Sequence, residues 1–319
     1  MTGTVHVSVH PIRTDDLHQH TVDAWPVPAH GETATRWSAL AALGERDLPL
    51  AKLVEPHHDA AAILADLGAP APAAGDVWAV WASEPPFAVL TADDSTGEWT
   101  LSGRKAFCSG AELVTHALVT ARTAAGPRLF AVGLTDRGIT VDRDSRQWAG
   151  PGMARAVTLT LSFDDVSATP VGEAGGYTAR PGFWWGAIGI AAVWLGGARG
   201  VARPLEGSVA RLDAHGLAHL GAVRAELDGA QLMLDAVAHR ADHDDLDEHA
   251  VERLALVARD RISSVVDVVV ERVGRALGPG PLAFDADHAT RVADLQVFVR
   301  QHHAEQDQER LGAWEPSHG

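Results

Sequence analysis

Glu98-Trp-Thr-Leu-Ser-Gly-Arg-Lys-Ala-Phe-Cys-Ser-Gly-Ala111 is the stretch whose reading decides the fold. Trp99 and Leu101 alternate with Thr100 and Ser102, the period of two expected of a half-buried strand. Ser102-Gly103 then predicts a turn, with Lys105 to Gly110 returning as a second short segment. That segment ends in small residues, Cys108-Ser109-Gly110-Ala111, which let a ligand approach backbone N–H groups.

Working outward, the same period runs from Val77 to Ala168. Segments at Val77 to Ser83, Phe87 to Thr91, Trp99 to Ser102, Val114 to Ala121, Arg128 to Leu134 and Val157 to Phe163 are separated by Gly, Asp and Pro turns. They predict a small antiparallel barrel or sandwich. Upstream, Trp37, Leu40 and Leu43 form one helical stripe that Gly44 should break, and Leu53, Ala60, Ile63, Leu64 and Leu67 form another. Downstream of Arg180-Pro181-Gly182 the spacing is three to four. A segment near Ala187 to Ala202, two long stripes after Leu220 and Val251, and a last one through Ala289, Val292, Leu295 and Val299 make about four helices, enough to close a bundle. The fold class is therefore α+β. The expected division is an N-terminal segment over 1–31, poorly structured, then a short helical part over 32–74, a β domain over 75–170, a helical bundle over 180–312 and a tail over 313–319.

Composition excludes several function classes. The chain has 319 residues, 46% apolar and 21% charged, which is ordinary for a globular protein. Its 26 basic and 42 acidic residues leave a formal charge of −16, and no run of Lys and Arg interrupts it, so nucleic acid and anionic membranes are not expected partners. A single cysteine, Cys108, forbids internal disulfides and suits a reducing cytoplasm, where a small buried residue is its expected role. The N-terminus carries His6, His10, His18 and His20 and lacks the charged start and apolar core of a signal peptide. Phe183 to Ala198, the longest apolar stretch, is shorter than a spanning helix needs and reads as a core helix, so no membrane insertion is expected.

Two motifs carry a family resemblance. Trp99-x-Leu-x-Gly-x-Lys-x-Phe-x-Ser-Gly110 resembles the middle-domain signature of the acyl-CoA dehydrogenases. Gly152-Met-Ala-Arg-Ala-Val-Thr158, followed by Leu161-Ser-Phe-Asp-Asp-Val166, is similar to that family's second block. The resemblance runs from about Trp37 to Gly312 and implies the three-part layout of helices, β domain and four-helix bundle, with the first part cut down here. It also implies bound FAD, with FMN as the alternative, and a small-molecule substrate such as an acyl-CoA. An electron-transfer partner or flavin reductase and assembly as a homodimer or homotetramer would follow.

The same resemblance supplies candidate flavin contacts. Trp81-Ala-Ser-Glu-Pro85 matches the segment that holds one edge of the ring, so Ala82 would offer its backbone and Ser83 its hydroxyl. Phe107 and Ser109 correspond to the aromatic and hydroxyl groups on the other side, where one packs the ring and the other tunes it. The bland alternative makes Phe107 core and Ser109 a turn residue. Past Pro85 the family's Gly-x-Gly-Ser-Asp loop is replaced by Pro86-Phe87-Ala88, which cannot make the same contacts to CoA. Arg155 is one position out of register. The segments that grip the ADP half are altered too, leaving Arg211, Arg272 and Arg275 as the candidate phosphate ligands.

In the resembled family a glutamate eight residues beyond an Arg-Asp pair abstracts the acyl α-proton. Counting from Asp294 gives His302, with His303 next and Glu305 in reserve. Both histidines would continue the Val292, Leu295, Val299 stripe into the bundle's inner cleft, and an imidazole with an ordinary pKa of about 6.5 is a competent base. The bland alternative is a pair of C-terminal-turn residues favoured by the helix dipole. Reduced-flavin-dependent monooxygenases of the same fold keep a histidine near this place. Three functions are therefore in play: desaturation of an acyl thioester, monooxygenation with reduced flavin, and a non-catalytic relative. No metal site is expected, since His215 and His219 lack a companion glutamate and read as a solvated helix face.

Overall fold

The computed structural model describes residues 10–95 and 97–314; His6 and residues 315–319 of the expected tail lie outside this range. Three helices come first, α1 (Thr14–Thr21), α2 (Thr33–Arg46) and α3 (Leu48–Asp66). Within 10–31 the chain is structured, contrary to expectation: Ile12 and Leu17 are buried and α1 packs on α3. Leu17 is the one buried residue of a polar helix, and Asp16 accepts a hydrogen bond from Arg13 N at 2.8 Å to start it. Gly44 does not break α2. A Cβ at that position would lie 2.4 Å from the Val193 carbonyl of α5 (Phe183–Glu206), so the glycine serves the close crossing of two helices. The break comes at Asp47, whose Oδ1 caps α3 by accepting from Leu50 N at 3.0 Å.

The middle of the chain forms β1 (Trp78–Trp81), β2 (Leu90–Asp93), β3 (Thr100–Cys108), β4 (His116–Thr123) and β5 (Gly126–Gly133), then β6 (Ile139–Val141), β7 (Leu159–Ser167) and β8 (Thr169–Val171). They make one eight-stranded sheet in the order β6-β7-β3-β2-β4-β5-β8, with β1 alongside β4. Pairing is antiparallel except that β1 and β2 both run parallel to β4, so the sheet is mixed. The expected turn at Ser102-Gly103 is absent. β3 is continuous and pairs with β7, and Gly103, at φ +118°, makes a bulge there. Its missing Cβ would stand 2.4 Å from the Val89 carbonyl, so this glycine admits a neighbouring backbone and does not reverse the chain. Two residues further on, Lys105 is buried and donates to Thr120 O at 2.6 Å and Thr120 Oγ1 at 2.8 Å, tying β3 to β4. Burial lowers its pKa to about 8, with Glu84 opposing.

The second half is helical. After the single turn α4 (Gly176–Ala179), α5 packs with α6 (Ala214–His243), α7 (Glu248–Leu277) and α9 (Ala286–Phe298); α8 (Gly280–Phe284) and α10 (Glu305–Gly312) are short additions. Among the described residues α5 is the one helix long and apolar enough to cross a membrane, but 83% of its apolar window is buried, as a core helix requires. Asp242 lies on α6. It caps α2 by accepting from Thr33 N at 2.9 Å and Gly31 N at 3.0 Å, which locks the first helices to the bundle.

Candidate active site

The end of the sheet, α3 and the end of α9 enclose a cleft of about 510 Å³, within the roughly 300–1,000 Å³ of small-molecule sites. β1 and the loop after it contribute Trp81, Ala82 and Ser83; the end of β3 contributes Phe107 and Ser109. From the connection ahead of β7 come Trp148, Met153, Ala156 and Thr158. The C-terminal end of α9 and the tight turn Val299–Gln301 bring Phe298 and Arg300, His303 follows, and α3 presents Lys52.

Hydrogen bonds fix the β side of this wall. Trp81 Nε1 donates to the Ser109 carbonyl at 3.0 Å, the Ser109 and Thr158 hydroxyls lie 2.9 Å apart, and Trp148 Nε1 donates to Gly152 O at 2.9 Å. Asp294 of α9 accepts from Met153 N at 2.5 Å, anchoring the connection to the bundle. Burial raises that carboxyl to about 6, against the hydrogen bond from Met153. Left-handed backbone collects at the same place: Phe107 (φ 59°), Met153 (φ 57°), Val157 (φ 44°) and Ala304 (φ 39°) either line the cleft or adjoin a residue that does. A β-branched residue such as Val157 is strained there, and such strain gathers at functional sites.

The charge of the lining is one-sided. Lys52, Arg300 and His303 are its titratable groups, with no aspartate or glutamate among them. Arg300 sits at the rim, exposed, where it donates to Asp267 Oδ1 at 3.1 Å. Lys52 forms no ion pair or hydrogen bond among the described residues; its ammonium stands 5.5 Å from the centre of the Phe298 ring, and burial lowers its pKa, with Glu55 opposing.

Ala82, Ser83, Phe107, Ser109 and His303 thus meet at one cleft, and Phe107 is 49% exposed, so it is not a core residue. His302 does not join them. α9 ends at Phe298, a tight turn follows, His302 is extended and Ala304 reverses the chain, so the helical stripe stops short of both histidines. The His302 imidazole is buried in the bundle at 6.3 Å from the Trp194 ring, with Nε2 3.5 Å from Asp307 Oδ2. No hydrogen bond satisfies that nitrogen. Burial and then the Arg259 guanidinium lower its pKa, with Asp307 and Asp260 opposing, so it is held neutral. Glu305 opens α10 and is exposed away from the cleft. Arg211, Arg272 and Arg275 also stand off it: Arg211 donates to Ser208 Oγ at 3.3 Å and Arg275 to Glu271 at 3.1 Å. Arg155, the slipped arginine, pairs with Asp47 at 2.8 Å. Cys108 is buried and its thiol is pushed up by burial, so it is not a nucleophile.

Lys52, Trp148, Met153, Thr158 and Phe298 were not foreseen. One signal was available for the first. The sequence holds two lysines, Lys52 and Lys105, among 26 basic residues; Lys105 is buried and Lys52 half-buried.

No protein-family model matches the chain, and no curated protein matches it in sequence. Solved structures do match. KijD3 in complex with FMN and dTDP-3-amino-2,3,6-trideoxy-4-keto-3-methyl-D-glucose is 20% identical, with a TM-score of 0.74 over 89% of this chain and 81% of that one. The dibenzothiophene monooxygenase TdsC from Paenibacillus sp. A11-2 is 19% identical, with a TM-score of 0.74 over 88% of this chain and 82% of that one; it is also known in complex with FMN and indole. A structure described as the electron transferring flavoprotein of Acidaminococcus fermentans is 16% identical, with a TM-score of 0.77 over 95% of this chain and 89% of that one. The chain therefore has the acyl-CoA dehydrogenase-like fold, a sheet between a short helical part and a helical bundle.

Proposed function

We propose that the protein is a flavin-dependent oxidoreductase acting as a monooxygenase, with FMN in its reduced form and a small aromatic molecule as its substrates. The observation that carries this reading is the lining of the cleft, which has aromatic walls, hydroxyl donors and no carboxylate. Acyl-thioester desaturation needs a base beside the substrate. His302 is directed into the bundle and Glu305 lies off the cleft, so among the described residues the carboxylate base of the resembled family has no counterpart in the lining and His303 is the one candidate proton acceptor there. FMN is favoured over FAD because Arg211, Arg272 and Arg275 give the ADP half no cationic grip from within this cleft, and KijD3 and TdsC are both known with FMN.

The residues present fit a flavin. Phe107 and Trp148 supply faces for a planar ring, and Ser83, Ser109 and Thr158 supply hydroxyls for its polar edge. Reduced flavin, when bound, supplies the electron pair that activates dioxygen. His303 is the group placed to move a proton at the substrate, and Met153 and Phe298 exclude water from the inner end. A separate reductase would deliver the reduced flavin. Homodimer or homotetramer assembly stays part of the proposal by likeness of fold.

An anaerobic calorimetric titration with reduced FMN tests this. One site per chain is expected, with a thermal stabilisation of about 2.7 kcal/mol at a hundredfold excess over Kd. Absence of both binding and stabilisation with either oxidation state of FMN would overturn it.

A further inference from the structure

We propose that Lys52 is an anion-recognising residue of the cleft, and that the substrate class is a planar aromatic acid whose carboxylate or phenolate oxygen meets this ammonium. The proposal deepens the monooxygenase reading, on which the word substrate rests.

Lys52 projects from α3 beside Phe298, Trp81 and Phe107, so a flat apolar body and a single positive charge are presented together. Among the described residues the ammonium has no hydrogen-bond or ion-pair partner. Glu55, one turn further along α3, is the acid that acts on it, and Glu55 is itself buried and pushed up to about 7 by burial and by Asp59, so its counter-charge is incomplete at neutral pH. Among the described residues no acidic side chain lines this cleft, and the ammonium there is only partly compensated. A half-buried ammonium that faces an open cleft beside aromatic rings is poised to exchange water for a ligand anion.

Lysine, moreover, is chosen here. The other lysine, Lys105, spends its donors on Thr120, and every other basic side chain is an arginine. A compact point charge suits one carboxylate or phenolate oxygen, whereas a phosphate collects several donors, usually arginine forks or helix N-termini. The cleft's arginine, Arg300, is held at the rim by Asp267. A substrate acid is therefore a better match to Lys52 than the FMN phosphate is.

The test is calorimetric titration of the full chain with 2-naphthoate and its neutral isostere 2-naphthamide, alongside FMN and riboflavin, for the wild type and Lys52→Met. Wild type is expected to bind the naphthoate at least about tenfold more tightly than the amide, the size of one hydrogen bond to a charged group. Lys52→Met should bind both equally while keeping its affinity for FMN. Equal affinities in the wild type, or a preference that survives Lys52→Met, overturns the proposal. So does a variant that loses affinity for FMN but not for riboflavin, since the cation would then belong to the cofactor phosphate. If flavin fails to bind but the naphthoate preference stands and depends on Lys52, the anion site is upheld and the monooxygenase reading alone falls. With 13Cε-labelled lysine two signals are expected, and naphthoate should move the one that Lys52→Met removes.

Discussion

Arg180, buried against α3, and Lys52, half-buried on it, are treated differently. Toward the helix C-terminus Arg180 is 5% exposed and is met by Asp66 at 3.0 Å and Asp59 at 3.3 Å, with Tyr177 beneath its guanidinium. Toward the N-terminus Lys52 meets an aromatic ring and an open cleft, and among the described residues no carboxylate bonds it. The first is a closed structural site that ties the helical part to the start of α5. The second keeps a charge available, as a binding site does. Lys105 stands between the two cases: among the described residues no carboxylate bonds it, and backbone and hydroxyl oxygens satisfy it.

This contrast can be broken from the structural end first. Arg180→Met leaves Asp59 and Asp66 half-buried without their partner, and about 3 kcal/mol of stability should be lost in denaturant unfolding. A loss under 1 kcal/mol would mean that the network is open to water. Glu55, between the two cations, gives the next largest effect. Its carboxyl is 7% exposed and pushed up from 4.5 to about 7, so the folded chain holds a proton that the unfolded chain has released. Stability from this group is full below about pH 4.5 and is lost as pH rises through that window, by an amount on the order of 3 kcal/mol. Glu55→Gln should flatten that part of the pH–stability curve; an unchanged slope would reassign it.

At the functional end the signs reverse. Lys52→Met should stabilise the free protein, by about 1 kcal/mol, because a half-buried charge without a bonded partner among the described residues is replaced by an apolar side chain of similar length. Destabilisation of that size would place Lys52 with Arg180 as a structural residue. Ser109→Ala is expected to cost about 1 kcal/mol through its hydrogen bond to Thr158, together with a weakening of flavin affinity. Unchanged flavin affinity would leave that hydroxyl a purely local role.

The order of helices, sheet and bundle was legible because the spacing of apolar residues changes from three or four to two and back, at Val77 and again after Arg180. The two glycines were misread for one reason. Gly44 and Gly103 look like breaks along the chain, but each answers to a backbone carbonyl that folding brings in from elsewhere, Val193 and Val89. The cleft was legible where motif residues border it, at Ser83, Phe107 and Ser109. The histidines were separable only by the end of α9, since a stripe read through Phe298 sends both inward, and the tight turn sends His302 into the bundle and His303 to the cleft. Lys52 lies on a helix whose apolar stripe says nothing of its polar positions. Its meaning comes from Phe298, far along the chain.

The most direct measurement is a crystal structure of the protein grown with FMN. The expected result is the isoalloxazine ring in the cleft, bordered by Phe107, Ser109 and Trp148, with the Lys52 ammonium left free for a second ligand. Flavin bound elsewhere on the chain, or a cleft closed by the protein's own side chains at saturating FMN, would contradict it.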